Sequence, residues 1–159
     1  MGYKWPMCPL ETSSFAAFRL KTEIKSIELL PGTSLSVDKS SEERYVMEVG
    51  YTMPITEGIY EGRVLRFKIK IPHAYPFKPP KLLCLDKVFH PNIDDDGNVC
   101  MEILRLGWRP THGLESVFVN LYVIFVEITG EDALNTLAGD LLRMDYERFV
   151  RIAKGHEKL

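Results

Sequence analysis

Residues 63–85, RVLRFKIKIPHAYPFKPPKLLCL, decide the fold. Leu65, Phe67, Ile69 and Ile71 alternate with Arg66, Lys68 and Lys70, the period of a strand with one face on a core. Pro76, Pro79 and Pro80 then bar the next segment from an inner strand, because proline has no N–H to donate to a ladder. That segment is therefore a rigid loop leading into a second, more buried strand, KLLCL at 81–85. Upstream, TSLSV at 33–37 and residues 45–53 carry two further strand patterns, and the four together predict an antiparallel meander.

Helical periods flank the meander. In SFAAFRLKTEIKSIELL, residues 14–30, apolar side chains recur at 17, 20, 24 and 27, with Ser13 or Ser14 as cap and Pro31-Gly32 as stop. Leu114, Val117, Phe118, Leu121, Ile124 and Phe125 repeat at the same interval and predict a buried helix. From about Asp132 to Lys154 the pattern predicts two short helices broken near Met144-Asp145. The fold class is α+β, with a long irregular stretch from Asp86 to Gly113. Structureless loops of that length in a compact domain are usually functional.

Composition narrows the function classes. A chain of 159 residues can bury a core unaided, so one domain over 14–159 is expected, after a short tail at 1–13. A net charge of -2 argues against a general nucleic-acid binder. The apolar run VFVNLYVIFVEI at 117–128 is broken by Asn120 and Glu127 and is too short to cross a membrane. With no signal-peptide layout at the N-terminus, the expected location is cytoplasmic or nuclear. Cys8, Cys84 and Cys100 form no CxxC pair, so neither a disulfide framework nor a zinc module is indicated. Cys84 sits in an apolar run and reads as core.

In the stretch HPNIDDDGNVCMEIL at 90–104, Cys100 stands at the end of an acidic, glycine-containing turn. Asn92, Asp94, Asp96 and Gly97 occupy the first, third, fifth and sixth places of a calcium loop, but the twelfth holds Ile103 where a bidentate Glu is needed, so no metal is expected. A tight turn rich in Asp and Asn accounts for the aspartates without accounting for the cysteine. A protease-like thiolate would need a base. His90 is the nearest in sequence, yet His90-Pro91-Asn92 reads as a rigid turn whose imidazole bonds backbone. If close in space, Asp94, Asp95, Asp96 and Glu102 would oppose thiolate formation. A quiet thiol suits a carrier, which need only attack an already activated thioester and hold the acyl group until an amine arrives.

In order along the chain, YPFKPPK, HPNI, GNVC, Trp108 with Pro110, and EDAL at 131–134 resemble the ubiquitin-conjugating enzyme family, over about Ser14 to Lys154. The resemblance implies an N-terminal helix, a four-stranded antiparallel meander, an active-site loop, a central helix and C-terminal helices. It implies that Cys100 accepts a ubiquitin-like modifier as a thioester from an activating enzyme and passes it to a substrate lysine. ATP would be used by the activating enzyme, so this chain needs no cofactor. Asn92 matches the residue that stabilises the oxyanion or holds the loop, with His90 and Pro91 shaping that loop. Asp132 matches the acidic residue that orients or deprotonates the lysine; its plainer reading is a helix cap. Phe77, Pro80, Trp108 and Pro110 match ligase-facing loops. Lys21 and Lys25 match the face that docks the activating enzyme, to which Trp5 in the tail would add a hydrophobic anchor.

KLLCLDKVFHPNIDDDGNVCMEILRLGWRP and the turn TEGIYEG are most similar to the neddylation branch, implying a Nedd or Rub modifier, a RING-type ligase and cullin lysines. YPFKPP is the form common among ubiquitin carriers, which keeps ubiquitin as the alternative modifier. A non-catalytic binding module of the same fold is the third reading. In two places the chain departs from the family: EITGEDAL lacks two usual prolines, and Gly113 stands where a polar helix cap is usual.

Overall fold

The structure is a computed structural model that describes residues 14–131 and 133–158. Asp132 and Trp5, with the rest of residues 1–13, lie outside them. The element order is α1 (Phe15–Ser26), β1 (Ser34–Lys39), β2 (Tyr45–Pro54), β3 (Val64–Pro72), β4 (Lys81–Cys84), α2 (Leu114–Val126), α3 (Thr136–Met144) and α4 (Tyr146–Ala153), with a 3-10 turn at Glu102–Leu104. The sheet is an antiparallel meander in the order β1-β2-β3-β4. Every second residue of β3 points inward: Leu65, Phe67, Ile69 and Ile71 are buried.

Helix α1 is shorter than its apolar period suggests. It starts where Ser14 accepts a hydrogen bond from the Ala17 N–H and ends at Ser26. Its buried stripe is Ala16, Leu20 and Ile24, while Ile27 is already extended. Helix α2 lies on the inner face of the sheet, where Phe118 stacks on Tyr51 with ring centroids 4.0 Å apart. The last two helices meet at Asp145, which ends α3 and caps α4 through the Arg148 N–H. Among the described residues, no helix is long and apolar enough to cross a membrane.

Gly97 brings the cysteine loop to the open edge of the sheet. It has φ +83°, and a Cβ there would stand 2.3 Å from the Cys84 carbonyl oxygen. Only glycine can make that approach. Cys84 N–H donates to Gly97 O at 2.7 Å and Val99 N–H to Leu82 O at 3.2 Å, so residues 97–99 extend the sheet beyond β4 and deliver Cys100 at its end.

Candidate active site

The turn before the cysteine is built on His90. Its ring is fully buried, with Nδ1 accepting from the Asn92 N–H at 2.9 Å and Nε2 facing Ile124 O at 2.8 Å. An Nδ1 that accepts leaves the ring proton on Nε2, where it donates to Ile124. Burial pulls the imidazole pKa down to about 4, with the Ile124 bond opposing only part of that shift. Both nitrogens are committed, so the neutral ring is a structural pin joining the turn to α2 and cannot serve Cys100 as a base.

Asn92 and Cys100 hold each other. Cys100 N–H donates to Asn92 O at 2.8 Å, and Asn92 Nδ2 donates to Cys100 O at 2.9 Å. The Asn92 amide thus fixes the loop that presents the thiol. Pro91 is buried behind this pair, and its carbonyl accepts from the Asn135 N–H at 2.9 Å, tying the α3 cap to the same turn.

The acidic turn is folded on itself. Asp94 Oδ1 accepts from the N–H groups of Asp96 and Asn98, and Oδ2 accepts from Asn98 Nδ2. Its oxygens complete the turn, as an Asx motif does. Among the described residues, no group of three or more His, Cys, Asp or Glu could hold a metal ion. The side chain hydrogen-bonded to Cys100 Sγ is Arg105, with Nη1 at 3.7 Å.

Cys100 is half-buried at an open groove of about 430 Å³, bounded by Tyr45, Pro79, Lys81, Met101 and Arg105. Pro80 is buried and lines this groove beside the cysteine. Cys84 is buried and its thiol pKa is pushed up by that burial, as befits core.

Trp108 bridges the two loops expected to face a ligase. Its Nε1–H donates to Pro76 O at 2.7 Å, leaving Phe77 69% exposed on one side and Pro110 exposed on the other. Two residues the sequence reading passed over enlarge this surface. Phe15 and Phe18 on α1 are 61% and 65% exposed, and Phe15 stacks on Phe77 at 6.2 Å. Their signal was available, since both fall off the Ala16-Leu20-Ile24 stripe of an otherwise polar face. On the same helix Lys25 is exposed and Lys21 half-buried.

A profile of the ubiquitin-conjugating enzyme family matches residues 19–157. The NEDD8-conjugating enzyme UBC12 of Yarrowia lipolytica is 36% identical over 139 residues, covering 87% of this chain and 76% of that protein. That of Saccharomyces cerevisiae is 37% identical over 132 residues, covering 81% and 70%. The solved structure of S. cerevisiae Ubc12 superposes with a TM-score of 0.81 at 34% identity, over 91% of this chain and 80% of that one. With the meander, the pinned His-Pro-Asn turn and a thiol at the sheet's end, this profile match across most of the chain makes the protein a member of the ubiquitin-conjugating enzyme family.

Proposed function

We propose that this chain carries a NEDD8-type modifier as a thioester on Cys100 and delivers it to a lysine. One observation carries the assignment of the thiol: Sγ stands at an open groove on a loop locked from both sides by Asn92, with no imidazole or carboxylate bonded to it among the described residues. Such a sulfur is placed to exchange with an activated thioester and then wait for an amine. The NEDD8-conjugating relatives support the choice of modifier.

The expected cycle has two acyl transfers. Cys100 Sγ attacks the modifier's C-terminal thioester on the activating enzyme and releases that enzyme's thiol. A lysine amine then attacks the new thioester carbonyl and displaces Cys100. Asn92 acts by holding the loop in register, and the matching residue Asp132 is assigned to orienting the lysine. Exposed Phe77, Phe15 and Phe18 form an aromatic surface suited to a RING-type ligase or the activating enzyme, with Lys25 beside it on α1. Cullin lysines are the acceptors this reading names.

The YPFKPP loop, the form common among ubiquitin carriers, favours ubiquitin as the second reading. The test supplies ATP with each activating enzyme and its own modifier, and looks for a reductant-sensitive adduct that Cys100→Ala cannot form. Adduct with the NEDD8-type modifier alone supports the proposal, and adduct with ubiquitin alone replaces it with the second reading. A folded protein that charges with neither is a binding module.

A further inference from the structure

The geometry points to Arg105 as a further catalytic residue, whose guanidinium holds the negative charge that lands on Cys100 Sγ when the acyl group leaves. The inference rests on the carrier reading above and adds to it a group for the sulfur. When a lysine amine adds to the thioester carbonyl, a C–N bond forms and the C–S bond then breaks. The electron pair goes to Sγ, and the amine proton passes to solvent. A thiolate remains, and some positive group at the sulfur lowers the barrier to expelling it.

The side chains of His90, Asn92 and Asp94 in the loop are already engaged. Both nitrogens of His90 bond backbone, the Asn92 amide is held by Cys100 O, and Asp94 completes its own turn. Arg105 Nη1 lies 3.7 Å from Sγ, within reach of an N–H···S hydrogen bond. Among the described residues it makes no ion pair with a carboxylate, although Glu102 is three residues away, whereas Arg19, Arg66, Arg143, Arg148 and Arg151 all do. Its backbone is fixed by the 3-10 turn: Arg105 N–H donates to Glu102 O at 3.0 Å, and Gly107 N–H reaches the same oxygen at 3.1 Å. Lys78 and Lys81 line the same groove.

The test compares wild type with R105Q and R105K in two assays on the full chain. In the first, the preformed Cys100 thioester is mixed with free lysine after activation is quenched, and single-turnover discharge is followed. In the second, the uncharged protein is alkylated at Cys100 by iodoacetamide, which needs no modifier. R105Q is expected to slow both by roughly three- to tenfold, the scale of one partly solvated charged contact. R105K, which keeps the charge, should recover much of the loss, and matching thermal midpoints establish that all three proteins are folded. Alkylation of R105Q at the wild-type rate overturns the proposal, whatever discharge does. Wild type that takes no modifier overturns the carrier reading and the catalytic role with it, while the alkylation assay still decides whether Arg105 acts on the sulfur.

Discussion

Glu23 on α1 caps α2: its Oε2 accepts a hydrogen bond from the Leu114 N–H at 3.0 Å, across 91 residues of chain. The same oxygen accepts from the Tyr75 hydroxyl at 2.7 Å, and Oε1 accepts from Arg19 Nε at 2.5 Å. One carboxylate therefore joins the first helix, the proline-rich loop and the start of the central helix. Glu23→Ala leaves Leu114 N–H and the Tyr75 hydroxyl without this acceptor. The expected loss is about 2–3 kcal/mol, combining a missing cap with a partly buried donor, and a urea unfolding midpoint measures it.

The usual remedy for a helix lacking its own cap fails here. Gly113 has φ -132°, an extended backbone open to any residue, so conformation does not demand glycine. Space is tight: a Cβ at 113 would lie 3.0–3.2 Å from the Glu23 carboxylate, which its three hydrogen bonds hold in place. Gly113→Ser is therefore expected to lower stability by up to about 1 kcal/mol, where a newly supplied cap would normally raise it. In a Glu23→Ala background the same change should become stabilising. A double-mutant cycle in urea reads the reversal, and additive effects would show that Glu23 and residue 113 do not compete for one place.

This cap shows where the sequence was legible and where it was not. The strands, α2 and the break at Asp145 follow from periods of two and 3.6, which are local and survive folding. Gly113 stood out as a missing cap, but nothing along the chain points to Glu23, because that contact exists only after α1 docks. Arg105 was equally hidden: a cation five residues after a cysteine carries no periodic signal, and the nearby aspartates drew attention to the opposite charge. A motif likewise places Pro80 in its loop without fixing its burial beside Cys100. Helix α1 ends early because Ile27, though in phase, is already extended and only half-buried.

Phe77 and Trp108 should separate binding from folding. Phe77 is largely exposed and its aromatic contact is Phe15, itself exposed, so Phe77→Ala is expected to change stability by no more than about 0.5 kcal/mol. Ligase-stimulated transfer should fall severalfold, while discharge to free lysine is unchanged. Trp108→Phe deletes the 2.7 Å bond to Pro76 O, and about 1 kcal/mol of stability should go with it. Calorimetry alongside the two transfer assays distinguishes these outcomes. Loss of free-lysine discharge in Phe77→Ala would mean that the surface also shapes the cysteine loop.

Asn92 offers a choice between two roles with different signatures. Its Nδ2 is bound to Cys100 O at 2.9 Å, so Asn92→Ala should destabilise the loop by about 1 kcal/mol and slow discharge to free lysine on the order of ten- to a hundredfold. Asn92→Asp places an acceptor against that carbonyl and should be at least as slow. Single-turnover discharge and urea midpoints, measured on the same samples, provide the comparison. Slow discharge with full stability would instead indicate a donor used only in the transition state.

His90 makes the fold sensitive to acid in a defined window. Its ring is neutral in the folded protein because burial has moved the pKa down to about 4 from an ordinary value near 6.5. The unfolded chain takes up its proton first as pH falls, so the stabilising contribution is complete above about pH 6.5 and is lost progressively toward pH 4. A shift of that size corresponds to about 3 kcal/mol. Stability measured in urea should therefore decline between those limits before most carboxylates protonate. His90→Gln, which keeps a side-chain acceptor and donor without a titrating group, is expected to start from a lower stability and to show a flatter pH profile over the same range. A wild-type profile that is flat between pH 6.5 and 4, or a His90→Gln profile just as steep, would assign the acid sensitivity to groups other than the pin between the His-Pro-Asn turn and Ile124.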